Sequence, residues 1–249
     1  MFPYKDENPT ELPAYVTIGI ILLNVAVWLL VEGMGSTGPL ARAVCQYGLV
    51  PGELLGRVPV GTQVPLAPNV MCVVGHPNYW AILTSMFTHG GWLHLIGNMW
   101  FLWVFGNNIE DAVGHWRFIL FYLLCGVMAT GAQVLLAPNS AVPMVGASGA
   151  ISGVLGAYLL LFPRVRVHVL VFLGFFVTTI VLPAYLMLGY WVLLQFLGGL
   201  PMLGGRDVGG VAFFAHIGGF LSGLLLIRLF IRADYVALRP APLERSGEF

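Results

Sequence analysis

The sequence predicts an all-α membrane protein, a bundle of six transmembrane helices joined by loops. Of its 249 residues, 58% are hydrophobic and only 9% are charged, and the mean hydropathy is +0.87. Soluble domains carry about 25% charged residues, so this composition indicates an integral membrane protein. The formal net charge is zero, which gives no indication of a nucleic-acid partner.

Six apolar windows approach the length that crosses a hydrocarbon core of about 30 Å, which takes roughly 20 helical residues. The fourth is the shortest and covers only about 22 Å at a rise of about 1.5 Å per residue. Residues 165–199 are too long for one span and too short for two, so we predict an interfacial or re-entrant segment at 167–181. Pro183 then opens the fifth span, where its missing N–H costs little. The predicted spans are 14–31, 92–107, 116–137, 148–162, 182–199 and 213–232.

Basic residues test this topology independently, because short cytoplasmic loops are enriched in Lys and Arg. With both termini in the cytoplasm, eight of the eleven basic residues lie on the cytoplasmic side of a plasma or inner membrane. A seventh span would move the last four of them outside and remove this bias. The cytoplasmic set is Lys5, Arg117, Arg164, Arg166, Arg228, Arg232, Arg239 and Arg245, and the outside set is Arg42, Arg57 and Arg206.

The chain divides into a cytoplasmic N-terminal segment, a single membrane domain and a cytoplasmic tail with a disordered end. We interpret the first apolar run as a retained anchor, because no small-residue cleavage site follows it. Apolar patches in the long segment 33–91 predict a loop structured against the membrane surface. Cys45 and Cys72 lie in this segment and could form a disulfide, although sequence alone does not show that they are close. The three parts are 1–13, 14–232 and 233–249.

Polar side chains inside apolar spans need an explanation, because they are costly in a membrane and usually line a cavity or pair with each other. His94 and Asn98 are four residues apart in the second span, so they project from one helical face. Ser148 begins the fourth span, and His216 lies early in the sixth. A hydroxyl nucleophile, an imidazole base and two further donors form a complete set for acyl transfer.

Other readings of these four residues remain. His94 and Asn98 could join helices by hydrogen bonds, Ser148 could serve close packing, and His216 could lie at the interface. A transporter or channel would need a continuous polar file across the membrane, whereas these residues cluster toward the outer half. Zinc and aspartyl intramembrane proteases are excluded, because the chain has neither His-Glu-x-x-His nor a pair of intramembrane aspartates.

Small residues indicate how the polar groups could meet. His216, Gly219 and Gly223 share one stripe of the sixth span, and Gly149 and Gly153 form a second stripe on the fourth. Two such stripes allow the helices to cross closely.

If Pro163 and Arg164 mark the cytoplasmic interface, the shortness of the fourth span predicts that Ser148 lies at a helix N-terminus below the outer membrane surface. Backbone N–H groups without intrahelical partners would there point toward a developing oxyanion. The loop 138–147 would have to line a water-accessible cavity, because irregular backbone is not tolerated in lipid.

Three stretches, HLIGN (94–98), GASG (146–149) and AHIGGFLSG (215–223), resemble motifs of the rhomboid family of intramembrane serine proteases. The family motifs are His-x-x-x-Asn, Gly-x-Ser-Gly and Ala-His-x-x-Gly-x-x-x-Gly. The resemblance runs from about residue 81 to 230, and the order of the motifs on the second, fourth and sixth spans makes it specific. It implies a six-helix bundle with cytoplasmic termini and cleavage of other proteins' transmembrane segments near small, helix-destabilising residues.

The resemblance also assigns roles to the matching positions. Ser148 would be the nucleophile, and His216 the general base that later protonates the leaving amine, without a third acidic member. His94, Asn98 and the backbone N–H of Ser148 would form the oxyanion hole. Gly146 would keep the loop open for the scissile carbonyl, or be an ordinary turn residue. The implied partners are transmembrane substrates and the lipid bilayer, with no metal or cofactor.

The sequence departs from the family pattern in two places. Some members carry an aromatic residue four positions after the nucleophile, which stacks on the base, whereas this chain has Ser152. The imidazole must then be oriented by the Ser152 hydroxyl or by packing alone. A Trp-Arg pair found in the first outside loop of many members is missing there, because Trp116 and Arg117 follow the second span.

Glycines between the fifth and sixth spans predict a flexible loop that caps the site, or an ordinary outside turn. Asp207 in this loop is not expected to complete a triad, because it lies in an exposed stretch and the family manages without an acid. An inactive rhomboid-like protein that binds or escorts membrane clients is the remaining alternative, but the intact Ser148 and His216 favour the protease. The loop glycines are Gly198, Gly199, Gly204, Gly205, Gly209 and Gly210.

Overall fold

A computed structural model of the chain describes residues 2–67, 70–174, 176–203 and 211–238. Long apolar helices dominate it, with short helices and strands in the segments between them. The elements in chain order are β1 (Phe2–Asp6), α1 (Tyr15–Leu30), α2 (Thr37–Tyr47), α3 (Pro51–Leu54), β2 (Gln63–Ala67), β3 (Val70–Val73), α4 (Ala81–Thr84), α5 (Trp92–Val113), α6 (His115–Leu136), α7 (Ser148–Leu161), β4 (Arg166–Leu173), β5 (Phe176–Pro183), α8 (Ala184–Leu203), α9 (Phe213–Phe230) and α10 (Ala233–Leu238).

Each predicted span contains or overlaps one of the longer helices. Within the described ranges, three helices are long and apolar enough to cross a membrane, namely α6, α8 over Ala184–Pro201, and α9. Helices α1 and α7 are apolar but shorter. Helix α5 continues to Val113, beyond the predicted end of its span at residue 107. Gly114, with φ of +84°, follows it and lets the chain turn into α6.

Helix α7 is the centre of the bundle, with every residue from 149 to 158 buried and with α5, α6, α8 and α9 around it. Helix α9 crosses α7 so closely that their backbones are in contact. A Cβ at Gly219 would overlap the carbonyl oxygen of Gly149, and a Cβ at Gly223 would overlap that of Gly153. Glycine at both α9 positions is therefore what allows the close crossing.

The other side of α7 packs against α6. A Cβ at Gly149 would lie 2.7 Å from the Cβ of Ala129, and a Cβ at Gly153 would overlap Cys125. The two α7 glycines thus accommodate α6 through their missing side chains and α9 through their carbonyl oxygens. The sequence had linked them to the α9 contact alone.

Residues 166–183 form an antiparallel hairpin of β4 and β5, to which β1 adds a third strand. An all-α fold omits this sheet and is corrected here, whereas an interfacial or re-entrant position for 167–181 stays a prediction. The segment is rich in Val, Ile and Thr, whose branched side chains favour strands, and Gly174 takes a φ of +62° at the turn. Pro183 ends β5, and the helix begins at Ala184.

The N-terminal segment lies on the same side of the bundle as the α7–α8 connection, because β1 pairs with β4. Asp6 accepts a hydrogen bond of 2.5 Å from the hydroxyl of Tyr158 in α7, and burial raises the pKa of Asp6 to about 6. Glu110 and Asp111, near the end of α5, accept backbone N–H bonds from the start of α1 and from the residues before it. These bonds satisfy donors that the start of a helix leaves without intrahelical partners.

Within the described residues, the segment 33–91 is folded and packs over the loop that precedes α7. Cys45 in α2 and Cys72 in β3 form a disulfide with their Cα atoms 5.5 Å apart, which answers the question that the sequence left open. Leu49 and Met144 exchange two backbone hydrogen bonds of 2.9 and 2.8 Å. The segment therefore holds the loop in front of α7 in place.

Candidate active site

Ser148 is the first residue of α7, and His216 lies in the first turn of α9. The Nε2 atom of His216 is 2.7 Å from the Oγ atom of Ser148. This is the distance at which an imidazole can take the proton of a hydroxyl. The two residues are 68 positions apart in the chain and are brought together by the glycine crossing of α7 and α9.

His94 and Asn98 lie in the first two turns of α5. The backbone N–H of Gly90 donates to His94 Nδ1 at 3.3 Å, so Nε2 carries the proton of the neutral ring. Asn98 Nδ2 is buried and has no hydrogen-bond partner among the described residues. A Cβ on Gly146 would lie 2.6 Å from His94 Nε2 and 3.4 Å from Asn98 Nδ2. Two side-chain donors therefore converge beside the loop that leads to Ser148.

Gly146 is required here by both backbone conformation and space. Its φ of +121° is one that side chains with a Cβ rarely adopt, and its N–H donates to the carbonyl of Ser85 at 2.8 Å. A side chain would also fill the space in front of His94 and Asn98. Gly146 therefore fits both interpretations made from the sequence: it is a turn residue, and it leaves the loop open in front of the two donors.

Glu32 and His89 form a buried polar contact beside the start of α5. Glu32 Oε1 accepts the backbone N–H of His89 at 2.5 Å, and the ring of His89 packs edge-on against that of His94 with centroids 5.2 Å apart. Burial lowers the pKa of His89 to about 3, with a further lowering from His94, and burial raises the pKa of Glu32 to about 7. The ring of His89 is therefore neutral near pH 7 and puts no positive charge beside His94.

A cavity of about 970 Å³ opens next to Ser148 and is also lined by His216, His94 and Asn98. Helix α2 and the β2–β3 hairpin contribute to its wall, as do α5 and α8. The described residues that line it include no Asp, Glu, Lys or Arg. Such a wall suits an uncharged occupant.

Two residues of α8 that the sequence analysis did not single out flank His216. Gln195 Oε1 lies 2.7 Å from His216 Nδ1, and the ring centroid of Trp191 is 5.9 Å from that of the imidazole. A signal for Gln195 was present, because it is the only amide or charged side chain in the sequence of α8. Such a residue in an apolar span requires a partner.

The hydroxyl of Ser152 does not orient the imidazole. It is buried and donates instead to the carbonyl oxygen of Ser148, one turn back in α7, at 2.6 Å. The suggestion that Ser152 takes over the function of an aromatic residue is therefore wrong, and α8 supplies the neighbours of His216 instead.

The glycines predicted to form a flexible loop before α9 divide into two groups. Gly198 and Gly199 are helical residues of α8 that pack against Phe213, so they belong to a helix–helix contact and not to a loop. The other loop residues, and the end of the C-terminal tail, lie outside the described residues. They are Gly204, Gly205, Gly209, Gly210, Asp207 and residues 239–249.

Comparison with known proteins adds an independent observation. The family pattern of the rhomboid domain matches residues 76–233, which is more than half of the chain. RHOMBOID-like protein 1 of Arabidopsis thaliana is 29% identical over 237 residues, covering 94% of this chain and 56% of its own length. Rhomboid-like protein 11, chloroplastic, of the same plant is 32% identical over 158 residues, 61% of this chain and 53% of its own length. Rhomboid protease GluP of Bacillus subtilis (strain 168) is 30% identical over 201 residues, 77% of this chain and 38% of its own length.

The chain thus spans about half the length of the relatives that it matches, or less. The matched region 76–233 contains Ser148 and His216 together with the two donors on α5.

Proposed function

The chain belongs to the rhomboid family, and on that premise we propose that it is an intramembrane serine endopeptidase with Ser148 as nucleophile and His216 as general base. The observation that carries the proposal is the 2.7 Å contact between Ser148 Oγ and His216 Nε2. The buried and unpaired N–H group of Asn98 supports it, because an oxyanion would provide the missing acceptor.

In the proposed reaction, Ser148 Oγ attacks the scissile carbonyl carbon while its proton moves to His216 Nε2. The carbonyl oxygen becomes an oxyanion and accepts hydrogen bonds from His94 Nε2–H, Asn98 Nδ2–H and the backbone N–H of Ser148. His216 gives the proton to the leaving amine as the C–N bond breaks. Water then attacks the acyl carbon and gives a proton to His216, which passes it to Ser148 Oγ as the ester C–O bond breaks and the second product leaves. Each step uses only these groups and water.

The substrates that we propose are transmembrane segments of other membrane proteins. Helix α7 has 14 residues and is about 21 Å long at about 1.5 Å per residue. With its other end, before Pro163 and Arg164, at the cytoplasmic interface, its first residue lies below the outer surface of a hydrocarbon core of about 30 Å. A substrate helix must open at the scissile bond to expose its carbonyl at that depth. Small, helix-destabilising residues lower the cost of this opening.

The membrane arrangement that we propose is the one expected from the sequence, corrected for the sheet. Six spans within 14–232 form one domain, the segment 1–13 and the tail 233–249 are cytoplasmic, and the domain lies in a plasma or inner membrane. Pairing of β1 with β4 supports this arrangement, because an even number of spans between the two strands returns the chain to the same side.

The test uses purified protein in liposomes with a model transmembrane substrate, and mass spectrometry of the fragments. We expect cleavage at a single region of the substrate. A fluorophosphonate should stop cleavage and label Ser148. The matched control is Ser152→Ala, which removes a buried hydroxyl one turn away and should still cleave and still be labelled. Substrate binding without cleavage or labelling would instead support the inactive, client-binding alternative.

Replacing Asn98 with alanine should lower kcat by about 100- to 1,000-fold, the range for loss of an oxyanion donor, with a smaller effect on KM. The matched control is Asn108→Ala on the same helix. The Nδ2 atom of Asn108 donates to the Asn8 carbonyl at 2.8 Å, so this variant should lose stability but keep the kcat of its folded fraction. Equal effects of both substitutions on kcat would mean that Asn98 also has only a packing role.

A further inference from the structure

The position of a single ring proton decides whether His216 can act on Ser148. A neutral imidazole has one N–H group, and its other nitrogen is the acceptor. Because Nε2 is the atom that faces Ser148 Oγ, it can take the hydroxyl proton only when the ring proton is on Nδ1. The Nδ1–H group must then have an acceptor of its own, since an unpaired buried donor is costly.

Gln195 supplies that acceptor from α8. Its Oε1 atom is 2.7 Å from His216 Nδ1, and its Nε2 atom donates to the carbonyl oxygen of Trp191, one helical turn earlier, at 3.4 Å. The reversed amide would present two N–H groups to Nδ1 and would remove the donor to the Trp191 carbonyl. It would also force the ring proton onto Nε2, where the imidazole could no longer accept from Ser148. The observed amide orientation is thus the one compatible with a base at Nε2.

We propose that Gln195 is a positioning residue, which holds the general base in the tautomer and ring orientation needed for proton transfer from Ser148. This inference rests on the proposed function and deepens it. The Nδ1–H bond stays intact throughout the reaction, while Nε2 gains the proton of Ser148 and gives it to the leaving amine. When the imidazolium forms, its bond to Gln195 Oε1 becomes charge-assisted and therefore stronger.

A neutral amide suits this place in the bundle. The part of the cavity wall that the structure describes carries no carboxylate, so the positive charge of the imidazolium is not neutralised by an acid there. A carboxylate in the place of Gln195 would itself have to be desolvated. The amide oxygen of Gln195 accepts the hydrogen bond from His216 Nδ1–H without the cost of desolvating a charge.

Ring packing alone does not explain the arrangement. Trp191 lies 5.9 Å from His216 and 6.3 Å from Phe220, centroid to centroid, so it restrains the tilt of the imidazole. A ring contact does not select which of the two nitrogens carries the proton. Only a hydrogen-bond acceptor at Nδ1 does that, and Gln195 is the residue observed there.

The test compares two substitutions of the same side chain. Gln195→Leu removes the acceptor at similar size. Gln195→Glu keeps an acceptor oxygen at Nδ1 when ionised, and also when protonated if its hydroxyl donates to the Trp191 carbonyl in place of the amide N–H. In liposomes, we expect Gln195→Leu to lower kcat, and the rate of fluorophosphonate labelling at Ser148, by about 10- to 100-fold with KM unchanged, the size expected for a bond to a charged group. Gln195→Glu should keep most of the parental kcat and most of the parental labelling rate. Trp191→Leu, the packing control, should lower kcat less than Gln195→Leu.

A second readout does not depend on activity. Nitrogen-15 NMR of histidine-labelled protein reports which ring nitrogen of His216 is protonated, and His216→Ala identifies its signals. We expect Nδ1–H in the parent and in Gln195→Glu, and a shift toward Nε2–H in Gln195→Leu or, if that variant does not fold, Gln195→Met. Parental kcat in Gln195→Leu, equal losses in the Leu and Glu variants, a change in KM alone, or an unchanged tautomer would each overturn the role of Gln195. A parent that neither cleaves nor is labelled, but shows the expected tautomer change, would contradict the proposed function and not the positioning.

Discussion

Ser148→Ala and His216→Ala should each lower kcat by about 10⁴- to 10⁶-fold, and the double variant should be no slower than the slower single one. The reason is that the two residues act as one unit through the 2.7 Å contact between Oγ and Nε2. Without the hydroxyl there is no attacking group, and without the imidazole the hydroxyl keeps its proton. Initial cleavage rates of the three variants in liposomes, with substrate at saturation, measure the effect.

Both substitutions should leave the fold intact, which separates loss of chemistry from loss of protein. Ser148 and His216 are each only partly buried, and neither side chain carries the crossing of α7 and α9. Thermal unfolding of the variants should therefore lie close to that of the parent. Losses that simply multiply in the double variant would contradict a shared mechanism, and residual cleavage near the parental rate in Ser148→Ala would exclude this serine as the nucleophile.

The positions of the long helices could be predicted from the sequence because lipid requires every backbone polar group to be bonded within a helix. The start of α7 at Ser148 is an example, since the apolar window and the helix begin at the same residue. The extension of α5 to Val113 could not be predicted in this way. Its last turns carry Glu110 and Asp111, whose partners lie about a hundred residues earlier in the chain, at the start of α1 and just before it.

Pairing with a distant segment accounts for one part of the missed sheet, the addition of β1, whereas β4 and β5 are neighbours in the chain and form a local hairpin. The branched residues of 167–181 favour strands, but the third strand of the sheet, β1, is formed by residues 2–6. A single sequence gives no register for a pair so far apart. Apolar composition alone predicted an interfacial or re-entrant segment and did not distinguish strands from other structures, because short apolar runs occur in both.

For the site, the proximity of residues on one helix could be predicted from their spacing. Contacts between helices could be predicted only where small residues indicate a close crossing. His94 and Asn98 follow from their spacing of four, and Ser148 and His216 from the glycines at the crossing of α7 and α9. Gln195 was missed because its partner His216 is on another helix, and because Gly198 and Gly199, which mark the contact of α8 with α9, were interpreted as loop residues. The polarity of Gln195 within an apolar helix was a second signal.

Gly219→Ala should lower kcat by about 100-fold or more and lower the unfolding temperature as well. The added methyl group would overlap the carbonyl oxygen of Gly149. That oxygen belongs to the backbone of α7, so no side chain can rotate away, and the two helices must separate. Separation lengthens the 2.7 Å contact between Ser148 and His216, and a misplacement of about 1 Å can cost about 100-fold in rate. Gly219→Val should be more severe in both measurements.

The matched control is Gly131→Ala in α6, where no atom lies within 4 Å of an added Cβ. This variant should keep the parental rate. Its stability should not fall, because alanine has a higher helix propensity than glycine by up to about 1 kcal/mol. Temperature then distinguishes the two causes of lost activity in Gly219→Ala. If only stability were lost, the variant would regain the parental kcat well below its unfolding temperature. Because the crossing itself is displaced, we expect kcat to stay low there while the protein remains folded.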